Sequence, residues 1–442
     1  MQAKTLRAAL AAVLALWVTT SSARAQTNEP ILQRSFGNTN LQLLDLSLDV
    51  LMAAGSSTAS NDELIDLQGG DHDPRKRGFT LQSVETGFLG AVDPYVTGRA
   101  IIDFFIAPDG ETVVELEEAY LTTLALPFHL QDYGFQLEAG QFFTPFGRLN
   151  TFHSHAWDWE DQVFTLTRFF GTDGARNPGF RINWLTPLPW YSELIFGMQN
   201  ANGETMVSYL ANSEVFEMRP IGGRPFVSDS VKNAGDFAYN VRWANGVDIS
   251  DTWSGKVGVS GLFGANATGD DGDTQTLGAD FVFKWVPLDA ERGWPHVRIE
   301  GEYLYRRYHA AAFTGCAVEA PGCTVQTLPA ETLHDHGFYL QGVWGFIRNW
   351  GAGLRFEYGR GSGENVAIDP TTNLFVPASP GDDPYRAPRF RFSPLIYFQP
   401  SHFTRFRLQY NYDNTTWTAE QNNHSVWFGV EFLFGAHPAH AY

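Results

Sequence analysis

Between residues 153 and 161, four side chains of metal-ligating type stand close together: His153, His155, Asp158 and Asp161. Imidazole with carboxylate is a donor set for Zn²⁺ or a similar divalent ion, which takes three or four such groups. A locally extended His-x-His pair turns both rings to one side. The same four residues could equally hydrogen-bond a loop to a neighbouring wall, and their spacing leaves both readings open. Around them, within 144–177, Arg148, Glu160 and Arg168 join Asp158 and Asp161 as charges that would filter solutes at a constriction. A second set of charges lies further on: Arg298, Glu300, Glu302, Arg306, Arg355, Glu357, Arg405, Arg407 and Glu431. Such a set would either impose a transverse field on a water-filled lumen or close on itself as stabilising ion pairs.

Catalytic chemistry finds no comparable pattern. The chain lacks Gly-x-Ser-x-Gly, His-Glu-x-x-His and a phosphate-binding glycine loop, and Ser154 between two histidines is too common a neighbourhood to mark a nucleophile. No enzyme and no obligatory cofactor is expected, zinc remaining the one candidate ion. Cys316 and Cys323 fall in a predicted loop with six residues between them, which points to a local disulfide in an oxidising compartment. His309, His334 and His336 flank that loop, and His437 and His440 lie near the carboxyl end.

The elements that carry these charges alternate with period two. In 425–434, Val426, Phe428, Val430, Phe432 and Phe434 share one face and Trp427, Gly429, Glu431 and Leu433 the other. In 236–244, Phe237, Tyr239, Val241 and Trp243 oppose Ala238, Asn240 and Arg242. An apolar face backed by arginine and glutamate, repeated along a chain, is the pattern of a transmembrane antiparallel β-barrel: apolar toward lipid, polar toward a lumen. We count about sixteen strands over 41–442, with eighteen reached if 201–233 hides a hairpin and fourteen the lower bound. The long segments 55–77, 144–177, 201–233, 308–334 and 361–388 all fall at one end, where long external loops belong, and short turns at the other.

The rest of the sequence agrees. Lys4 and Arg7, the apolar run from Ala8 to Val18 and Ala23-Arg24-Ala25 read as a cleaved signal peptide over 1–25, followed by a periplasmic lead-in over 26–40. Aromatics reach 14%, while mean hydropathy is only -0.21, as expected when lipid-facing residues alternate with polar ones. Trp184, Trp190, Trp243, Trp285, Trp294, Trp344 and Trp350 sit near strand ends, where interfacial girdles form. Thirty basic against 49 acidic residues, a net charge of -19, argues against nucleic acid as a partner. The expected partners are outer-membrane lipid of a Gram-negative bacterium, the barrel-assembly machinery and small polar or ionic solutes passing by diffusion. A homotrimer is common at this strand number. A divalent-metal uptake component and a barrel plugged by its own loops are the alternatives.

Residues 115–186 resemble the phosphate-selective-porin-like superfamily of outer-membrane proteins. Glu118-Ala119-Tyr120 is similar to that family's strand start, and Gly140-Gln141-Phe142-Phe143-Thr144-Pro145-Phe146-Gly147 to the strand end that enters its third external loop. His153-Ser154-His155-Ala156-Trp157-Asp158, Arg168-Phe169-Phe170-Gly171 and the 435–442 tail look closer to a less characterised branch linked to zinc-responsive genes. The resemblance implies that 144–177 folds into the lumen, and that terminal Tyr442 serves as the assembly signal. Phosphate selectivity is not carried over, because Arg148, Arg168 and Arg176 are the only basic residues of 144–177, against Asp158, Glu160, Asp161 and Asp173.

Overall fold

The computed structural model describes residues 32–36 and 39–435. The signal-peptide segment, His437, His440 and Tyr442 therefore lie outside the described residues. Sixteen strands among those described form one antiparallel sheet, each paired with its neighbour in sequence. They are β1 (Thr39–Ser57), β2 (Gly78–Asp93), β3 (Val96–Ile106), β4 (Thr112–Thr123), β5 (Phe135–Phe143) and β6 (Arg176–Leu185). Then come β7 (Ser192–Gln199), β8 (Ala238–Asp248), β9 (Trp253–Ala265), β10 (Asp273–Trp285) and β11 (His296–Ala310). The last are β12 (Glu331–Ile347), β13 (Trp350–Ser362), β14 (Arg389–Ser401), β15 (Thr404–Thr415) and β16 (Asn422–Gly435). Closure is direct: β16 pairs with β1 from Ser47↔Gly435 to Ser57↔Ser425. A closed sheet leaves no open edge in the membrane, which a lipid-exposed backbone requires.

The alternation is real and it faces outward. Phe428 is 46% exposed while neighbouring Trp427 is fully buried, and Leu354 at 50% stands beside Arg355 at 1%. Aromatic side chains run from strand to strand on the outer face: Phe398 lies 6.3 Å from Phe406, and Phe406 lies 6.4 Å from Phe428. Apolar residues exposed around a closed barrel whose interior is charged mark a transmembrane barrel of the Gram-negative outer membrane.

Segment 201–233 hides no hairpin; it carries a short helix, Ser213–Met218, capped by Asn212. Residues 32–36, expected as part of an irregular lead-in, form a short strand on the start of β1. Cys316 and Cys323 form a disulfide at the tip of a small hairpin, Phe313–Cys316 with Val325–Leu328.

The first, third and fourth loops turn inward. Residues 144–175 enter the barrel, and their helix Phe164–Phe170 is buried along its whole length. Phe146, Leu166, Phe169 and Phe170 pack with Met206 and Leu210 of the fourth loop against Leu262 and Leu304 of the wall. At the entrance, Asn150 ties the neck by donating to the carbonyls of Thr144 (2.8 Å) and Ala175 (3.0 Å). Gly147 turns with φ +58°, and a Cβ there would sit 2.0 Å from a Glu302 carboxylate oxygen. The glycine thus lets Glu302 reach the loop backbone, where it accepts from the N–H groups of Arg148 (2.8 Å) and Leu149 (2.7 Å). The first loop enters too: its helix Asn61–Leu67, opened by a Ser60–Glu63 capping box, buries Leu64 and Leu67 against Trp427.

Candidate functional site

The third loop lies across the lumen between two walls of opposite charge. On one side, β13 to β15 supply Arg355, Arg391 and Arg407, each 1% exposed. Asp161 meets the first two: Arg391 donates to its Oδ2 at 2.9 Å and Arg355 to its Oδ1, while Gln409 (2.7 Å) and Asn411 (2.8 Å) complete the set. Burial alone would raise this carboxyl, but the two guanidiniums hold it well below the usual carboxylate range. Arg407 pairs with Glu160 and donates to the carbonyls of Trp157 (3.0 Å) and Trp159 (3.1 Å). Burial pushes Glu160 up to about 7 in spite of Arg407.

The remaining predicted constriction and wall charges are paired as well, except Glu302, which meets no cation among the described residues and accepts instead from the Arg148 and Leu149 N–H groups and the Tyr339 hydroxyl. Arg148 meets Glu300, Asp158 meets Arg298, and Arg405 meets Glu431, from its Nε at 3.0 Å. Arg306 pairs with Asp335 at 2.7 Å, and Arg168 lies 3.5 Å from the same carboxylate. Arg355 also meets Glu357 at 2.8 Å. Burial lowers Arg168 to about 10, opposed by Asp335.

The opposite wall is acidic. His153 and His155 stack with ring centroids 5.8 Å apart and planes 5° from parallel. Their Nδ1 atoms lie 3.5 and 2.8 Å from the same oxygen of Glu85 on β2. His153 also meets Glu117 (2.8 Å) and Glu118 (3.3 Å) on β4. Burial alone would lower both imidazoles, but Glu85 above all raises them, joined at His153 by Glu117 and Glu118. The expected quartet therefore does not converge. The histidines go to glutamates of one wall, whereas Asp158 and Asp161 go to arginines elsewhere, because a buried carboxylate gains most from a guanidinium.

The glutamates of that wall were not singled out from sequence. A β-bulge explains part of the omission: Ile101 pairs with Glu118 and Ile102 with Leu116, so Glu117 is the extra residue. Leu116 and Leu121, on opposite parities, both face outward, and Glu117 and Glu118 both face inward. A second bulge at Gln82, between Leu51↔Ser83 and Met52↔Leu81, does the same on β2. Three neighbouring acids in Glu115-x-Glu117-Glu118 were the available signal. Buried clusters here, including Glu85, Glu117 and His153, have ligand atoms within 4.8 Å of one another and could hold a metal such as zinc. His309, His334 and His336 bond instead to Thr332, Tyr305 and Tyr303.

Beneath the loop, toward the short-turn end, a cavity of ≈ 350 Å³ is lined by Arg99, Glu138, Arg181, Arg242, Lys256 and Asp280, among others.

No protein-family profile matches the chain. An uncharacterized protein of Aquifex aeolicus is 28% identical over 375 residues, covering 83% of this chain and 71% of that relative. Among solved structures, the outer membrane channel DcaP of Acinetobacter baumannii is similar with a TM-score of 0.53 and 14% identity, covering 88% of this chain and 97% of that one. OmpT of Vibrio cholerae has a TM-score of 0.48 at 7% identity, over 88% of this chain and 99% of that one. The likeness to DcaP is one of fold.

Proposed function

We propose that this barrel is a channel for passive diffusion of small polar or ionic solutes, narrowed by residues 144–175. The observation that carries the reading is the charged cavity between that loop and the wall, where Arg99, Arg181, Arg242 and Lys256 face Glu138 and Asp280. Mixed charges at close range hydrate a path and favour neither sign strongly, so selectivity is weak. Single-channel recording of purified protein in planar bilayers under a KCl gradient tests it. Small, stable conductance steps with a reversal potential near zero are expected, and a protein that inserts without conducting overturns the reading.

A second reading, a barrel plugged by its loops, draws on the apolar cluster of Phe146, Leu166, Phe169 and Phe170 inside the lumen. It predicts no steps from the intact protein, and steps only after the third loop is loosened.

A further inference from the structure

We propose that His72, Glu115 and Asp173 bind one divalent first-row transition ion, which fastens the first and third loops to the acidic wall. The proposal does not depend on whether the barrel conducts. His72 is 4% exposed, and its ring is set edge-on against Phe105 with centroids 5.1 Å apart. Its Nδ1 lies 3.0 Å from the Gln82 carbonyl oxygen, which can only accept, so Nδ1 carries the proton. In the neutral ring Nε2 then keeps its lone pair, and Nε2 has no hydrogen-bond partner. An imidazole fixed through one nitrogen, with the other bare and buried, is how proteins orient a histidine ligand.

The carboxylates around it repeat the arrangement. Glu115 gives Oε1 to Arg176, and Glu117 gives Oε2 to His153 at 2.8 Å. Asp173 accepts from the Thr172 hydroxyl at Oδ2, 3.2 Å away. Each has a second oxygen left over: Glu115 Oε2 and Asp173 Oδ1 are buried without a hydrogen bond, and Glu117 Oε1 lies 3.7 Å from His72 Nε2. Glu115 Oε2 is 3.8 Å from the same nitrogen, and the ligand atoms of His72, Glu115 and Asp173 lie within 4.8 Å of one another. Separations of 3.7 and 3.8 Å are too long for a hydrogen bond. They approach the edge of about 3.4 Å expected between donors of a tetrahedral ion with bonds near 2.1 Å. One imidazole nitrogen with carboxylate oxygens suits Mn²⁺, Fe²⁺ or Zn²⁺; Ca²⁺ and Mg²⁺ take oxygen alone. The rival reading is an imidazolium at His72 among carboxylates: burial alone would lower this ring, but Asp103, Glu117 and Glu115 hold it up to about 10.

Mn²⁺ separates the two. Folded protein in detergent is stripped with chelator and titrated with Mn²⁺, free ion being read by electron paramagnetic resonance and bound ion by its nitrogen coupling. The expected result is one Mn²⁺ per chain coupled to a single imidazole nitrogen. His72→Gln and Asp173→Asn should each weaken binding at least about tenfold, and His309→Gln should not. Absence of saturable binding, coupling to no nitrogen or to two, or full affinity in both variants overturns the proposal. If either variant fails to fold, shown by loss of the heat-dependent gel shift, the wild-type stoichiometry and nitrogen count still decide it.

Discussion

The two walls that grip the third loop do so by different chemistry. On the arginine side, Asp161 is met by two guanidiniums and two side-chain amides, all from strands of the barrel. Guanidinium stays charged at any physiological pH and its planar fork fixes geometry, so that grip is permanent. On the acidic side the third loop's contacts run through His153 and His155, and His72 of the first loop meets the same wall. Imidazole, unlike guanidinium, can exchange a proton for a metal ion, so this grip responds to its surroundings. One wall anchors the loop and the other can be adjusted.

The most damaging test of this contrast is Asp161→Ala. It leaves Arg355 and Arg391 buried beside a void, and about 3–5 kcal/mol of loop docking should be lost. The loop should then be cut by trypsin in the folded barrel, and conductance should become larger and noisier. A variant as resistant as wild type would show that the arginine wall is not the anchor.

A pH series probes the same grip more gently, since protonation leaves the carboxyl's volume in place. Asp161 is held below its unfolded value of about 3.9, so its contribution is present above that value. It is lost only as pH falls through the lower, folded value. The loop should stay docked from about pH 7 to 4 and loosen below, as read by conductance noise and by pepsin cleavage at the acid end. Loosening near pH 5 would mean that the acidic wall, not Asp161, governs docking.

The smallest effect is expected from Trp159→Phe, which removes one indole N–H donated to the Ser393 carbonyl at 3.0 Å. The loss should be about 1 kcal/mol, visible as slightly faster flicker, with Mn²⁺ stoichiometry unchanged. A change in metal binding would couple the two walls and break the contrast.

The barrel was legible because its rule is local. Apolar residues at every second position face lipid wherever they occur, so Phe428 and Leu354 declared their side without reference to the rest of the chain. Strand number and the alternation of long and short connections followed from the same rule, and both match the structure. The inward fold of 144–175 was implied by the resemblance of the strand that leads into it, not by any periodicity of its own. The four proposed metal ligands 153–161 illustrate the limit. Their spacing was suitable, but the arginines that take Asp158 and Asp161 lie 140 or more positions away in sequence.

Sequence by itself therefore determined the lipid-facing pattern, a strand number of about sixteen and the interior placement of many charged side chains, because each depends on neighbours two residues apart. Only the tertiary structure decided which charges meet. Partners such as Asp161 with Arg391, or His72 with Glu115, are brought together by closure of the sheet and by loops crossing its interior. Bulges at Gln82 and Glu117 turned additional side chains inward against the simple alternation. Pairing inside a barrel is set by strand register and loop path, which are long-range quantities with no local imprint in the chain.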